Sequence, residues 1–218
     1  LRGGYARCAA DPCFFFKRDG QDFIFAVVHV DDFAVAATSQ DMCTAMIEYL
    51  ETVYVVSVTR DVEHFLGIHV TDFADGRRRL SQPGLLKKLF EKHEAVKTLK
   101  TYPRVPMSSL FCDEAQDDSP RCNGKAYMEL LGSLMYVVKT RFDIAYAVSR
   151  LAMRTQKATD KDYNALLRVL AYLYKTRDQG IMLSGFWSTV SVQSQLVIEF
   201  EAWCDASYAT HSDGRSHP

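Results

Sequence analysis

Two adjacent aspartates, Asp31 and Asp32, sit between the apolar runs Phe23-Ile24-Phe25-Ala26-Val27-Val28 and Phe33-Ala34-Val35-Ala36-Ala37. Carboxylates held that close repel one another unless a cation sits between them. Hard oxygen ligands of this kind suit Mg²⁺, with Mn²⁺ as the alternative ion. Each flanking run has the length and composition of a strand, so the pair reads as the tip of a β-hairpin. The favoured two-residue turns need positive φ and normally carry Asn-Gly or Asp-Gly. Asp-Asp meets that need poorly, so the chain concentrates negative charge where turn chemistry would place glycine. A solvated acidic turn is the other reading, and the apolar strands on both sides favour the metal site.

Three further groups have chemical potential. His29 lies two residues before the pair; an imidazole there can pack, donate a hydrogen bond or carry charge, and a lone strand histidine is as readily a core or edge residue. Phe65-Leu66-Gly67 sets a glycine where backbone could approach a ligand closely, or where a sheet bulges. Between Arg77 and Arg104 stand nine Lys/Arg, including Arg77, Arg78, Arg79, Lys87 and Lys88, against Glu91 and Glu94. That is a local balance of +7 in a chain of net charge −1, and so −8 elsewhere. Such asymmetry is the electrostatic footprint of phosphate binding, or a solvated helix face.

The elements that must position these residues follow from periodicity. Residues 13–17 and 22–37 read as three strands, with Arg18-Asp19-Gly20 as the first turn. Ser39 caps a helix whose apolar positions are Met42, Met46, Ile47 and Leu50. Val53–Val58 is β-branched and reads as a short strand. Phe65–Thr71 and Arg78–Ser81 form a hairpin turning at Asp75-Gly76. From Pro83 the period becomes helical, with Leu85, Leu86, Leu89 and Phe90 on one face. Residues 101–124 hold three prolines and the acidic cluster Asp113, Glu114, Asp117 and Asp118, and read as a linker. Helices follow at about 127–139, 142–155 and 161–176, with Asp160 as the last one's N-cap. Ile181-Met182-Leu183 and Leu196–Trp203 are strand candidates, and residues 187–195 read as a variable loop.

The bulk numbers fit a globular chain: 218 residues, 48% hydrophobic and 24% charged, enough for one or two domains. No apolar run approaches the roughly 20 residues of a membrane span, and Leu1-Arg2-Gly3-Gly4 does not open a signal peptide. The missing initiator Met suggests an excised or truncated segment. Six cysteines at 8, 13, 43, 112, 122 and 204 show no Cys-x-x-Cys or zinc spacing, and are expected to be reduced, mostly buried thiols of an intracellular protein.

Along nearly the whole chain, ordered landmarks resemble the Pol polyproteins of copia-type retrotransposons. His29-Val30-Asp31-Asp32 resembles the Tyr-x-Asp-Asp box of reverse transcriptases in its Val-Asp-Asp form. Asp11-Pro12-Cys13-Phe14-Phe15 resembles the "DPC" strand entry, Phe65-Leu66-Gly67-Ile68 the "FLGI" segment and Leu80-Ser81-Gln82 the "LSQ" helix entry. Gly132-Ser133-Leu134-Met135-Tyr136 with Thr140-Arg141-Phe142-Asp143-Ile144-Ala145 resembles "GSLMYL…TRPDIAYAV". Cys204-Asp205-Ala206-Ser207-Tyr208-Ala209 with Gly214-Arg215-Ser216 resembles "SDADWA…RS", the opening of the family's RNase H domain.

The resemblance implies an α+β fold in three parts. A partial reverse-transcriptase palm, an antiparallel sheet with a helix, spans 1–82. A helical thumb and connection span 83–178, and a truncated RNase H-like start spans 179–218. It implies an RNA-directed DNA polymerase using two metals, Mg²⁺ or Mn²⁺, with Asp31 and Asp32 as catalytic ligands and Asp205 as the first ligand of an incomplete RNase H-like site. His29 and Val30 would lie beside the primer, Phe65, Leu66 and Gly67 would form a primer grip, and Arg77, Arg78, Arg79, Lys87 and Lys88 would meet phosphates. The implied partners are an RNA/DNA primer-template, deoxynucleotides and the rest of a Pol polyprotein with fingers, RNase H and integrase. The implied setting is a cytoplasmic virus-like particle or the nucleus. The family's third carboxylate and its fingers have no match in residues 1–22, and His29 replaces the usual Tyr. The fragment is therefore expected to be catalytically incomplete, and a non-catalytic nucleic-acid-binding module or a degenerate transposon relic is the alternative.

Overall fold

The computed structural model describes residues 3–60, 62–107 and 120–184. They form a mixed α/β protein with two antiparallel sheets and five α-helices, and the chain divides between Phe65 and Leu66 into two compact units.

The first unit holds β1 (Ala6–Arg7), β2 (Phe14–Asp19), β3 (Asp22–His29) and β4 (Asp32–Ala37) in one sheet, in that spatial order. Gly20, at φ 61°, makes the tight β2–β3 turn. Side chains alternate between sheet faces, and the register sets Phe15 beside Ala26, Ala26 beside Val35 and Ile24 beside Ala37. That face carries the small core: Ile24, Ala26 and Met46 are buried, with Tyr5, Phe15, Val35, Ala37, Met42 and Leu50 packed around them. Its cover is α1 (Gln40–Glu51), started by Ser39, whose Oγ accepts from the Asp41 amide. The opposite face carries Phe14, Phe23 and Phe25, with ring centroids 5.7 and 6.4 Å apart along the row. The expected strand at Val53–Val58 does not form. Val53, Tyr54, Val55 and Val58 are exposed; β-branching favours a pleated, half-buried surface and supplies no ladder partner of its own. The unit ends at the two-residue strand β5 (His64–Phe65).

In the second unit, β6 (Ile68–Asp72), β7 (Arg77–Ser81) and β8 (Ile181–Ser184) pair antiparallel. Gly76, at φ 81°, serves the β6–β7 turn. A Cβ at Gly180 would lie 2.2 Å from the Leu80 carbonyl oxygen, so only glycine lets the chain enter β8 there. The helices are α2 (Pro83–Lys92), α3 (Gly124–Val137), α4 (Ala145–Ala152) and α5 (Asp160–Lys175). Pro83 sits in the first turn of α2, where its missing N–H costs nothing. The expected helix over 142–155 is shorter: Phe142–Ile144 is a 3₁₀ turn and α4 stops at Ala152. Thr159, not Asp160, caps α5. Its Oγ1 faces the Asp162 amide while the Asp162 carboxylate accepts from the Thr159 amide, a reciprocal capping box. Nineteen buried residues from α2 to α5 form one core, including Leu86, Phe90, Leu134, Leu151, Leu166 and Leu170.

Candidate functional site

The Asp-Asp hairpin forms, and its turn lies one residue earlier than the aspartates suggest. His29 pairs with Asp32, which leaves Val30 and Asp31 as the two turn residues and makes Asp32 the first residue of β4. The positive φ that such a turn needs falls on Val30, at 56°. Among residues outside glycine that conformation is uncommon, and a β-branched side chain makes it a strained outlier. The strain is borne in the open, with Val30 83% exposed. His29 and Asp32 are cross-strand neighbours on the sheet face that carries Phe23 and Phe25, opposite the face under α1.

Asp31 and Asp32 are both exposed and form no ion pair with another described residue. Two hard carboxylates at a hairpin apex, open to water, fit a cation that retains most of its hydration shell, as Mg²⁺ does. Among the described residues no group of three or more His, Cys, Asp or Glu side chains is arranged to hold a metal. The four described cysteines, Cys8, Cys13, Cys43 and Cys122, are free thiols. They are partly or fully exposed, where burial was expected.

The remaining expected residues lie apart from the hairpin in the chain. Phe65 ends β5, and Leu66 and Gly67 open the second unit with φ of 49° and 73°, two successive left-handed residues. The Tyr136 hydroxyl of α3 donates to the Leu66 carbonyl at 2.5 Å, and a Cβ on Gly67 would meet that hydroxyl at 3.3 Å. Sequence reasoning placed Tyr136 inside a landmark and missed this role; a tyrosine near a helix end, with its hydroxyl to satisfy, was the available signal.

The basic segment is more nearly neutral than its sequence count. Arg77 pairs with Asp75 at 2.7 Å and Arg78 with Asp72 at 2.5 Å, and both acids stand just before the counted window. Hydrogen bonds from Arg78 hold the Asp72 carboxyl below its ordinary range, and those of the Arg77 amide and guanidinium do the same for Asp75. Arg79 donates to the Asp178 carbonyl and lies over the Phe73 ring. Lys87 is 4.0 Å from Glu91, and Lys92 pairs with Glu129. Lys88, Lys100 and Arg104 form no ion pair among the described residues. Arg141 is buried and forks onto Asp143 at 2.6 and 2.9 Å. It also donates to the Thr176 carbonyl, which closes the end of α5. Asp205, Leu196–Trp203, residues 187–195 and the acidic cluster at Asp113–Asp118 lie outside the described residues.

The chain is 28% identical, over 98% of its length, to the retrovirus-related Pol polyprotein from transposon RE2 of Arabidopsis thaliana. It is 27% identical, over 96% of its length, to a putative transposon Ty5-1 protein of Saccharomyces cerevisiae. This chain is a relative of the retrotransposon Pol polyproteins. The chain spans 14% of the RE2 polyprotein and 65% of the Ty5-1 protein. It is also 23% identical, over 85% of its length, to an uncharacterized mitochondrial protein of Arabidopsis thaliana. No family model and no solved structure matches the chain. Among its described residues no helix is long and apolar enough to cross a membrane.

Proposed function

We propose that this chain is the part of a transposon Pol polyprotein that carries the metal-binding hairpin of an RNA-directed DNA polymerase, with the first unit as palm and the helical unit as thumb and connection. The observation that supports the reading is the Asp31–Asp32 apex, exposed and without ion pairs on a strained turn, in a chain related to transposon Pol polyproteins. Asp31 and Asp32 would hold Mg²⁺ or Mn²⁺. In two-metal nucleotidyl transfer such an ion activates the attacking hydroxyl and neutralises charge on the leaving group.

The residues around the pair have roles that follow from their positions. The β3–β4 ladder fixes the two carboxylates relative to each other, and the turn at Val30 presents them to solvent. His29, beside Asp32, offers a small polar side chain where the family's box has Tyr, and it would contact the primer end. Leu66 and Gly67, held by Tyr136, would offer close-approaching backbone to the nucleic acid. Lys88, Lys100 and Arg104 are better placed to meet phosphates than Arg77 and Arg78, whose charges Asp75 and Asp72 already offset.

Two carboxylates give too few protein ligands for tight binding of a hydrated ion. The 218-residue chain alone is therefore expected to bind Mn²⁺ weakly, to bind primer-template, and to incorporate no nucleotide. In a longer polypeptide that extends primers, Asp31→Asn should lower incorporation by about a hundredfold or more with primer-template binding retained, and His29→Tyr should keep or raise it. Equal primer extension by wild type and by Asp31→Asn/Asp32→Asn would overturn the assignment. Unchanged Mn²⁺ relaxation curves in that double variant would remove the metal site.

A further inference from the structure

The second unit contains a cavity of about 540 Å³ far along the chain from the aspartate hairpin. One wall is the face of α5 formed by Tyr163, Leu167, Arg168 and Ala171; the other is the segment that leaves α2 and turns through Val96 and Leu99. Such a volume suits a small molecule. The helical packing explains why the space exists. Val96 is buried in the helical core and Tyr102 stacks on Tyr174 of α5, while Leu99 between them is exposed, so the segment touches α5 at two points and leaves a gap between them.

The polar inventory of the lining is unbalanced. Lys92 is engaged with Glu129, and Glu94 is paired with Lys97 at 3.7 Å. His93 is discouraged from carrying charge, first by burial and then by the neighbouring Lys92. Arg168 is different. Its Nη2 reaches the Val105 carbonyl at a long 3.4 Å, while its Nε is shielded from solvent and has no hydrogen-bond partner among the described residues. A guanidinium is always charged and presents its donors as a fork matched to carboxylate or sulfonate oxygens. Arg168 lines the cavity, and its Nη donors, engaged only by that long bond among the described residues, are the ones an incoming anion would meet.

We infer that this cavity is a binding site for a small anion with an apolar body, an aromatic or aliphatic carboxylate or sulfonate. Its head would sit on the Arg168 fork and its body against Val96, Leu99, Leu167 and Ala171. A free inorganic anion would leave the carbon-lined wall wet, and an uncharged apolar molecule would give the Arg168 fork no acceptor. The inference stands on the second unit alone and holds whether or not the hairpin is catalytic.

The test uses the full 218-residue chain and two fluorescent probes, anionic 8-anilinonaphthalene-1-sulfonate and its uncharged counterpart N-phenyl-1-naphthylamine. The sulfonate should bind saturably at one site and shift the backbone amide signals of Leu99, Leu167 and Ala171. Arg168→Met keeps the apolar stem and removes the fork; it should weaken the sulfonate by about tenfold or more, as loss of a charged hydrogen bond requires. Uncharged-probe binding should change less than about twofold, and a matching thermal melt certifies the fold. Equal sulfonate affinity in wild type and Arg168→Met overturns the site. So does a parallel loss of both probes, or amide shifts in the wild type that avoid these three residues, the last a result that needs no variant.

Discussion

The two units of this chain distribute burial and chemistry in opposite ways. Among its described residues the first buries an apolar cluster of three, Ile24, Ala26 and Met46, under one helix, and exposes a strained turn with two carboxylates that form no ion pair. The second buries nineteen described residues in a core shared by four helices, and it pairs charges at several points, among them Arg77–Asp75, Arg78–Asp72, Lys92–Glu129 and Arg141–Asp143. At roughly 1.5–3 kcal/mol per fully buried large side chain, the second unit has far more stability in reserve. A charged, strained feature costs a small sheet proportionally more than it would cost the helical core. Strain of this kind persists only where the surrounding structure holds it, and here the β3–β4 ladder does so.

A cavity in the larger core should have the largest effect. Leu166→Ala removes a side chain with no solvent exposure and should destabilise the second unit by about 3 kcal/mol. In hydrogen exchange read by mass spectrometry, the amides of β3 and β4 should exchange before those of α3 and α5. The substitution should raise exchange in the helices and leave the hairpin unchanged. A uniform rise throughout would show one cooperative structure in place of two. A smaller effect is expected from Tyr136→Phe, which deletes the hydrogen bond to Leu66 and should cost about 1 kcal/mol. Exchange at the Leu66–Gly67 turn should rise most, and an unmoved turn would show that its left-handed pair holds itself.

Much of this contrast was legible in the residues. The alternating runs around Asp31, the Ser39 cap, Pro83 at a helix start and the Leu166–Leu170–Leu173 stripe are local signals, and the structure carries each of them. What escaped depended on partners distant in space or on competition between neighbours. Val53–Val58 has strand composition and no strand beside it. Thr159 outcompetes Asp160 because Asp162 stands three residues on to reciprocate, a signal present in the sequence and read one residue late. The balance of +7 overstated the field because Asp72 and Asp75 fold back onto Arg78 and Arg77. The turn position escaped because turn chemistry points to glycine or asparagine, and here valine takes the left-handed position.

A pH experiment probes the charged end of the second unit with a more modest expected effect. Burial pushes the Asp143 carboxyl up, but hydrogen bonds from Arg141 and Tyr172 outweigh it and hold the group below its ordinary range. A carboxyl depressed on folding contributes stability that is present above its unfolded value and lost as pH falls through the folded one. The second unit should therefore weaken as pH falls below about 4, where buried Arg141 loses its charged partner. Asp143→Asn should flatten that acid slope in melting temperature against pH. An unchanged slope would assign the acid sensitivity to other carboxylates.

The smallest effect is the one that tests the strained turn. A left-handed backbone costs a residue other than glycine about 1–2 kcal/mol. Glycine relieves that cost and adds about 0.5–1 kcal/mol of unfolded-state freedom. Val30 is exposed, so replacing it sacrifices little packing. Val30→Gly should thus stabilise the first unit by roughly 0.5 kcal/mol, seen as slower exchange in β3 and β4. The same change gives the turn more conformers and loosens Asp31 relative to Asp32, so Mn²⁺ affinity should fall while stability rises. Opposite signs on the two measurements would show that the valine holds the carboxylates in place at a cost to the fold. A variant both more stable and equally able to bind metal would reduce the strain at Val30 to an accident of the turn.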